Sequence, residues 1–352
     1  MSKACKNCGL DTKVPFLTLD SQRLCDYCRG EQVYRWDKEF QLSADLIRQR
    51  RQELENIFAS VKGRQDYDCV LALSGGKDSA YMLCSLLEQG LKVLAVHVGN
   101  IFESRLAEEN INSLKAKFNF ALKKISPPED FYIKFYSELL KHSQDAGFSQ
   151  VVCSACRDLY MGICLKAAVE NKIPLVITGF APPRYYFFEV PERELKRDWI
   201  PAIFKANKYP ESFLDNFWNP QKFPAKTIFP RVISPFHVTG YNLREINKKL
   251  SRKQILPANK LSFFKTNCLL VKVMTYLDRK SQGYHYGIMA HAYLRRNKMM
   301  EPDQLSNKID YALFLISVRK AIKLIEKKLG VDFKKILSSR TKDNSQRLET
   351  FW

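Results

Sequence analysis

Asp66-Tyr67-Asp68-Cys69-Val70-Leu71-Ala72-Leu73-Ser74-Gly75-Gly76-Lys77-Asp78-Ser79 is the stretch that decides the fold. Cys69–Leu73 is a short apolar run, the pattern of a parallel strand buried on both faces. Ser74 to Ser79 then turns on two glycines, and a helix is expected over 78–89. Glycine lets the backbone turn sharply and approach a phosphate with no Cβ in the way. The first turn of the helix adds free N–H groups and a partial positive charge. Ser74 and Ser79 bring hydroxyl donors, Lys77 a cation, and Asp78 a carboxylate able to hold magnesium or the loop itself. The string is neither GxxxxGK[ST] nor GxGxxG.

Outward from this loop, strands and helices alternate. Lys92–Val98 and Ala121–Ile125 read as strands, with a helix over 104–118 between them marked by Leu106, Ile111 and Leu114. Helices are expected over 131–141 and 156–171, and a strand over Pro174–Thr178. Such repetition predicts an α/β fold, a parallel sheet with helices on both faces. Before the loop, Phe40, Ile47, Leu54, Ile57 and Phe58 recur at helical spacing over 36–62, ended by Gly63. Residues 182–230, rich in proline and aromatics without a period, read as a long irregular insertion and an expected substrate loop. Its Arg184, Arg193 and Arg197 are candidates for an anionic acceptor or for plain solvated surface. From Tyr241 to Leu337 the chain reads as mostly helical, and a mobile tail is expected after it. The organisation expected is a zinc-ribbon-like module (1–35), a linker helix (36–66), a nucleotide-binding domain (67–230) and a helical C-terminal region (231–352).

Ten cysteines without a secretory signal point to metals or reactive thiols rather than disulfides. Cys5-x-x-Cys8 and Cys25-x-x-Cys28, sixteen residues apart, have the spacing of two knuckles closing a tetrahedral thiolate site, which suits zinc. So small a module has little core, so the metal is expected to supply its folding energy. Cys153-x-x-Cys156 and the distant Cys268 offer three thiolates. These can hold a four-iron four-sulfur cluster with one iron open, or be a helix-entry pair and a buried thiol. Cys69, Cys84 and Cys164 fall in strand or helix patterns and read as core.

The 352 residues carry a net charge of +20, and 45% are hydrophobic, enough for a sizeable core. The charge suits an anionic partner, whether nucleic acid, a nucleotide-linked sugar or a membrane surface, beside the plainer reading of a solvated basic surface. Much of it follows residue 240, as in Lys248, Lys249, Arg252, Lys253, Arg295, Arg296, Lys327 and Lys328. No apolar run reaches the ~18–20 residues that span a bilayer. Nor does MSKACKNCGL carry an apolar signal core, so a soluble cytoplasmic protein is expected.

SGGKDS after a buried strand resembles the signature of the PP-loop ATP pyrophosphatase superfamily. The resemblance implies that ATP and magnesium are bound, that ATP is cleaved between its α and β phosphates, and that an acceptor is activated as an adenylate. It implies catalytic roles for Ser74, Lys77 and Asp78 and phosphate binding by Ser74, Gly75, Gly76, Lys77, Asp78 and Ser79. It also implies adenine contact near His97-Val98-Gly99-Asn100, and a place at the nucleotide for Gly179 at a further strand end. His97 itself reads as catalytic or, more simply, as a packed strand-end residue.

The order of several strings also resembles the N-acetyl sugar amidotransferases of lipopolysaccharide and surface-sugar synthesis, over about two thirds of the chain. These strings are the paired CxxC knuckles around Phe16–Asp20, then Trp36–Phe40, Asp66–Val70 running into SGGKDS, Leu91–Val96, Glu109-Asn110-Ile111 and Tyr284–Leu305. That family implies an acetamido oxygen adenylated by ATP and then displaced by ammonia. Position 2 is Ser2 and no glutaminase nucleophile motif is found, so a separate glutaminase partner is implied. A similar arrangement of thiols occurs in tRNA thiolases of the superfamily, which makes sulfur transfer to tRNA the alternative. Thr178-Gly179-Phe180-Ala181-Pro182 departs from the histidine and acidic residues those thiolases carry after the glycine. A non-catalytic nucleotide-binding protein is the third reading.

Overall fold

The computed structural model describes residues 4–31, 44–180, 188–191, 199–255, 267–285, 287–300 and 308–338. Arg184, Arg193, Arg197, Trp36–Phe40, Lys265, Thr266 and the tail beyond residue 338 lie outside the described residues. Two compact units emerge. One is drawn from Lys38–Pro127 and Arg157–Leu261, the other from Met1–Asp37, Pro128–Cys156 and Ser262–Trp352.

The first unit is built on a five-stranded parallel sheet. Its strands are β1 (Cys69–Ala72), β2 (Val93–Val98), β3 (Ala121–Ile125), β4 (Leu175–Ile177) and β5 (Arg231–Ile233), in the order β3-β2-β1-β4-β5. β1 lies at the centre, with Leu71 opposite Ala95 of β2 and Ile177 of β4. Its four residues are all buried, which is why its sequence is an unbroken apolar run. β3, at the edge, carries Lys123 and Lys124 and is only half-buried. Helices Lys77–Glu88, Arg105–Lys117 and Ser154–Glu170 begin within two residues of where periodicity puts them.

Two features depart from the sequence reading. Arg231-Val232-Ile233, taken as the start of a helical region, is instead the fifth strand, paired with β4. Three residues followed closely by Pro235 are too few to show a period of two. The insertion over 182–230 is not irregular throughout. It contains a helix, Trp199–Ala206, and a helical turn, Glu211–Leu214. Pro201 masks the first of these in sequence, but proline is tolerated in a first helical turn. Phe204, Tyr209, Phe213 and Phe217 form one aromatic cluster, with Phe204 ring centroids 4.9–5.5 Å from the other three.

Part of the late basic charge is structural. Helix Leu243–Arg252 is capped by Asn242, whose side chain accepts from the Arg244 and Glu245 N–H groups. Lys249 of that helix and Lys253 just beyond it pair with Glu88 at 2.6 and 2.9 Å.

The second unit is mostly helical, with helices Glu129–Lys141, Leu269–Ser281, Gly287–Arg296, Lys308–Leu329 and Phe333–Ser338. Phe131 stacks on Phe135 and Tyr132 on Tyr136, each at 5.6 Å, the four-residue spacing that brings side chains onto one helix face. Among the described residues, no helix is long and apolar enough to cross a membrane.

Candidate functional site

The loop after β1 is held from several sides within its own unit. The Ser79 hydroxyl donates to the Gly76 carbonyl at 3.1 Å, and the Ser74 N–H donates to Ser79 Oγ at 3.2 Å. The two serine hydroxyls lie 3.2 Å apart, and the Gly76 N–H faces Ser74 Oγ at 3.4 Å. Gly76 caps helix Lys77–Glu88 in an extended conformation, so the first-turn N–H groups lead straight out of the loop. Gly75 has φ +71°, and a Cβ there would meet the Ala107 carbonyl at 2.6 Å. Glycine is therefore required at 75 by both conformation and space.

Lys77 Nζ lies 3.0 Å from Asp78 Oδ2, and the Tyr241 hydroxyl donates to Asp78 Oδ1 at 3.0 Å. Lys77 and Asp78 are both partly exposed, so this pair can open when a phosphate or a cation competes for it. Gly179, just past β4, packs against the same turn. A Cβ on it would come within 2.8 Å of the Ser79 backbone. The place of Gly179 is thus a close approach of the β4 end to the loop helix.

His97 is buried at the end of β2. Its Nδ1 donates to the Leu73 carbonyl at 2.9 Å, and its Nε2 lies 3.1 Å from Glu103. Burial alone would lower its pKa. The bonds to Glu103 and to Leu73 outweigh burial, and the net shift is upward. The geometry matches the packed, hydrogen-bonded reading of this histidine. The Asn100 side chain is engaged in its own turn, accepting from the Phe102 N–H at 2.9 Å.

Sequence reasoning gave no site role to three residues around the loop. They are Tyr241 on Asp78, Glu103 on His97, and Asn110, whose amide donates to the Gly75 carbonyl at 2.7 Å. Each partner is between 6 and 163 residues away in sequence, so no local spacing announces the pairs.

In the other unit, the sulfurs of Cys5, Cys8, Cys25 and Cys28 all lie within 4.8 Å of one another and can hold a metal ion. Cys5 and Cys28 are 3.7 Å apart, and Cys8 and Cys25 are 3.6 Å apart. A tetrahedron with metal–sulfur bonds of ~2.3 Å has edges of about 3.8 Å, close to the two separations of 3.7 and 3.6 Å. The Cys25 N–H donates to Cys5 Sγ and the Asn7 amide to Cys28 Sγ, each at 3.3 Å, as expected for supported thiolate ligands. The Cys25 thiol's bond to Cys8 lowers Cys8 to about 5, while burial and the Cys8 charge push Cys28 up to about 11. One sulfur thus ionises at its neighbours' expense, a conflict that a divalent cation removes.

The module has no apolar core complete in itself. Leu10, Val14 and Leu17 are buried with Tyr284, Met289 and Ala292. The core is borrowed from a segment some 270 residues later, which local composition cannot reveal.

Cys153 closes a π-helical turn, Ser149–Cys153, and Cys156 lies in the first turn of helix Ser154–Glu170. The Tyr136 hydroxyl is 3.3 Å from Cys156 Sγ. Complete burial, then the nearby Cys156 and Cys268, push the Tyr136 phenol well up. Cys268 is the N-cap of helix Leu269–Ser281. Buried Asp278 of that helix accepts from the Phe148 N–H at 2.6 Å and the Ser149 N–H at 3.2 Å, tying the π-turn to it. Cys156 and Cys268 therefore share the surroundings of one buried phenol. Cys69, Cys84 and Cys164 are fully buried, as their sequence patterns indicate.

No protein-family model matches the chain. A stretch of 68 residues is 41% identical to the tRNA(Ile)-lysidine synthase of Chlamydia pneumoniae, covering 19% of this chain and 20% of that enzyme. The chain thus spans about a fifth of the length of that curated relative. Among solved structures, it is similar to a 4-thiouridine synthetase–RNA complex with bound ATP. The identity is 17%, over 75% of this chain and 53% of that one, with a TM-score of 0.34. It is also similar to the NH3-dependent NAD synthetase of Campylobacter jejuni in complex with nitrate, at 16% identity over 82% and 95%, with a TM-score of 0.31.

Proposed function

We propose that the chain is a PP-loop enzyme that cleaves ATP between the α and β phosphates to adenylate an acceptor oxygen. The carrying observation is the loop itself. Two glycines, two facing serine hydroxyls and a helix N-terminus follow the central strand of a parallel sheet. Lys77 neutralises charge on the departing pyrophosphate, and Ser74, Ser79 and the Gly76 N–H bind its oxygens. Magnesium, which the Asp78 carboxylate would hold, would add Lewis-acid stabilisation of the same leaving group.

Within this class, the order of sequence strings favours an N-acetyl sugar amidotransferase. The acetamido oxygen attacks the α-phosphorus, the bond to the β-phosphate breaks and pyrophosphate leaves. Ammonia adds to the imidate carbon, AMP departs and an acetamidino group remains. A partner glutaminase supplies the ammonia, and the basic charge suits a nucleotide-linked sugar. The four N-terminal cysteines hold zinc in a structural role.

A second reading, tRNA thiolation, is favoured by the gathering of Cys156 and Cys268 around Tyr136, with Cys153 one turn away, and by the local likeness to a tRNA-modifying enzyme. In that reading Cys153, Cys156 and Cys268 hold a four-iron four-sulfur cluster that supplies sulfur chemistry when bound.

One experiment separates the readings. The anaerobically purified chain is incubated with ATP and magnesium, together with either nucleotide-linked N-acetyl sugars and ammonium or tRNA and sulfide. AMP and pyrophosphate are then quantified. Product only with sugar and ammonium supports the first reading, and product only with tRNA and sulfide supports the second. No α–β cleavage with either set would overturn both.

A further inference from the structure

We infer that Asn110 is a positioning residue for the phosphate loop, one that sets the direction of the Gly76 N–H before nucleotide binds. This rests on the ATP reading of that loop.

Asn110 sits in the interior of helix Arg105–Lys117, where asparagine is a poor helix former. It is buried, at 5% exposure, so its amide needs a partner to offset lost hydration. That partner is the Gly75 carbonyl at 2.7 Å. Gly75 stands at φ +71°, a conformation whose peptide planes are easily reoriented in glycine.

The peptide joining Gly75 to Gly76 is planar and trans, so its C=O and N–H point in opposite directions. Anchoring the carbonyl to Asn110 on the helix side therefore aims the Gly76 N–H to the far side. There it meets Ser74 Oγ at 3.4 Å, in the mouth of the turn. A bound phosphate oxygen replaces that weak contact. Ala107, one turn before Asn110, closes against Gly75 from the same helix, leaving the loop no room to relax backward. Helix Arg105–Lys117 is thus the backing against which the loop is set.

The test compares ATP with AMP, which lacks the two outer phosphates. Binding of each to the full-length chain is measured calorimetrically with magnesium. Asn110→Asp keeps the shape but replaces the donor with a carboxylate that cannot donate to a carbonyl. The expected result is ATP binding weakened about tenfold, with AMP binding changed less than twofold. Equal weakening of both nucleotides, or wild-type ATP affinity in Asn110→Asp, would overturn the proposal. Should the charged variant not fold, Asn110→Ser, too short to reach the carbonyl, is read against the same two outcomes. A wild-type chain that binds AMP and ATP equally, or neither, removes the ATP reading and this role with it. That result is distinguished by needing no variant.

Discussion

The Ser74–Ser79 loop and the thiol sites are built by opposite strategies. The loop is a run of six consecutive residues, Ser74–Ser79, that leaves one strand and enters the first turn of one helix, with the groups proposed to bind phosphate supplied locally. The thiol sites occupy a unit assembled from three separated segments, and even the small N-terminal module takes its core from Tyr284, Met289 and Ala292. The contiguous site supplies its own serines and glycines and is steadied by single long-range contacts from Asn110 and Tyr241. A discontiguous one depends on long-range packing and on whatever bridges the segments. Perturbation should therefore be global in the thiol-bearing unit and confined to chemistry at the loop.

If the four cysteines hold zinc as proposed, the largest effect is expected from removing it. Structural zinc in thiolate knuckles contributes apparent free energies on the order of 10 kcal/mol. Chelation, or Cys25→Ser, should release one zinc per chain and expose Leu10, Val14 and Leu17 with the residues they pack on. Hydrogen exchange reads both faces of that core. Zinc loss with unchanged protection at Met289 and Ala292 would show that the borrowed core stands without the metal. Cys156→Ala should leave the zinc content at one.

Second in size is an acid effect in the same unit. His285 is buried, and that burial, with Arg279 nearby, lowers its pKa to about 4. The unfolded chain binds the proton near the ordinary imidazole value of ~6.5. The folded unit therefore loses stability as pH falls from there toward the folded value, up to about 3 kcal/mol. His285→Gln should flatten the urea midpoint over that window. A wild-type midpoint that does not fall toward acid would break the assignment.

Third is Lys77→Ala. If the loop acts locally, turnover should drop at least ~tenfold, about 1.4 kcal/mol of barrier, while the melting temperature hardly moves. The lost Lys77–Asp78 pair is partly exposed and contributes no more than about 1 kcal/mol. Retained activity would sink the role. A large fall in stability would instead show the loop to be as globally coupled as the thiol sites.

How much of this was legible in sequence follows the same division. β1, the loop and its helix could be read from Cys69–Glu88 because burial and turn chemistry are local there. The four-cysteine site was legible because metal ligands come in short fixed spacings. Asn110, Glu103 and Tyr241 were not, since a buried amide, a carboxylate and a phenol take meaning only from partners brought in by the fold. β5 was missed because three residues carry no period, and helix Trp199–Ala206 because Pro201 reads as a breaker outside a first turn.

The smallest predicted effect lies at His97, where the loop's locality meets the sheet. Its ring joins the Leu73 carbonyl, one residue before the loop, to Glu103 before the backing helix. Both ring nitrogens face acceptors, so the protonated form is favoured and the folded pKa is raised despite burial, with Lys124 opposing. A raised folded value means the stabilisation is complete below the ordinary imidazole range and is lost as pH rises through the elevated value. This slope is opposite in sign to that of His285. His97→Gln should remove the alkaline-side decline of the sheet-bearing unit without touching the acid-side decline of the other. If one substitution altered both slopes, the two regions would not be energetically separate, and the contrast between local and assembled sites would fail at the point where it is most finely drawn.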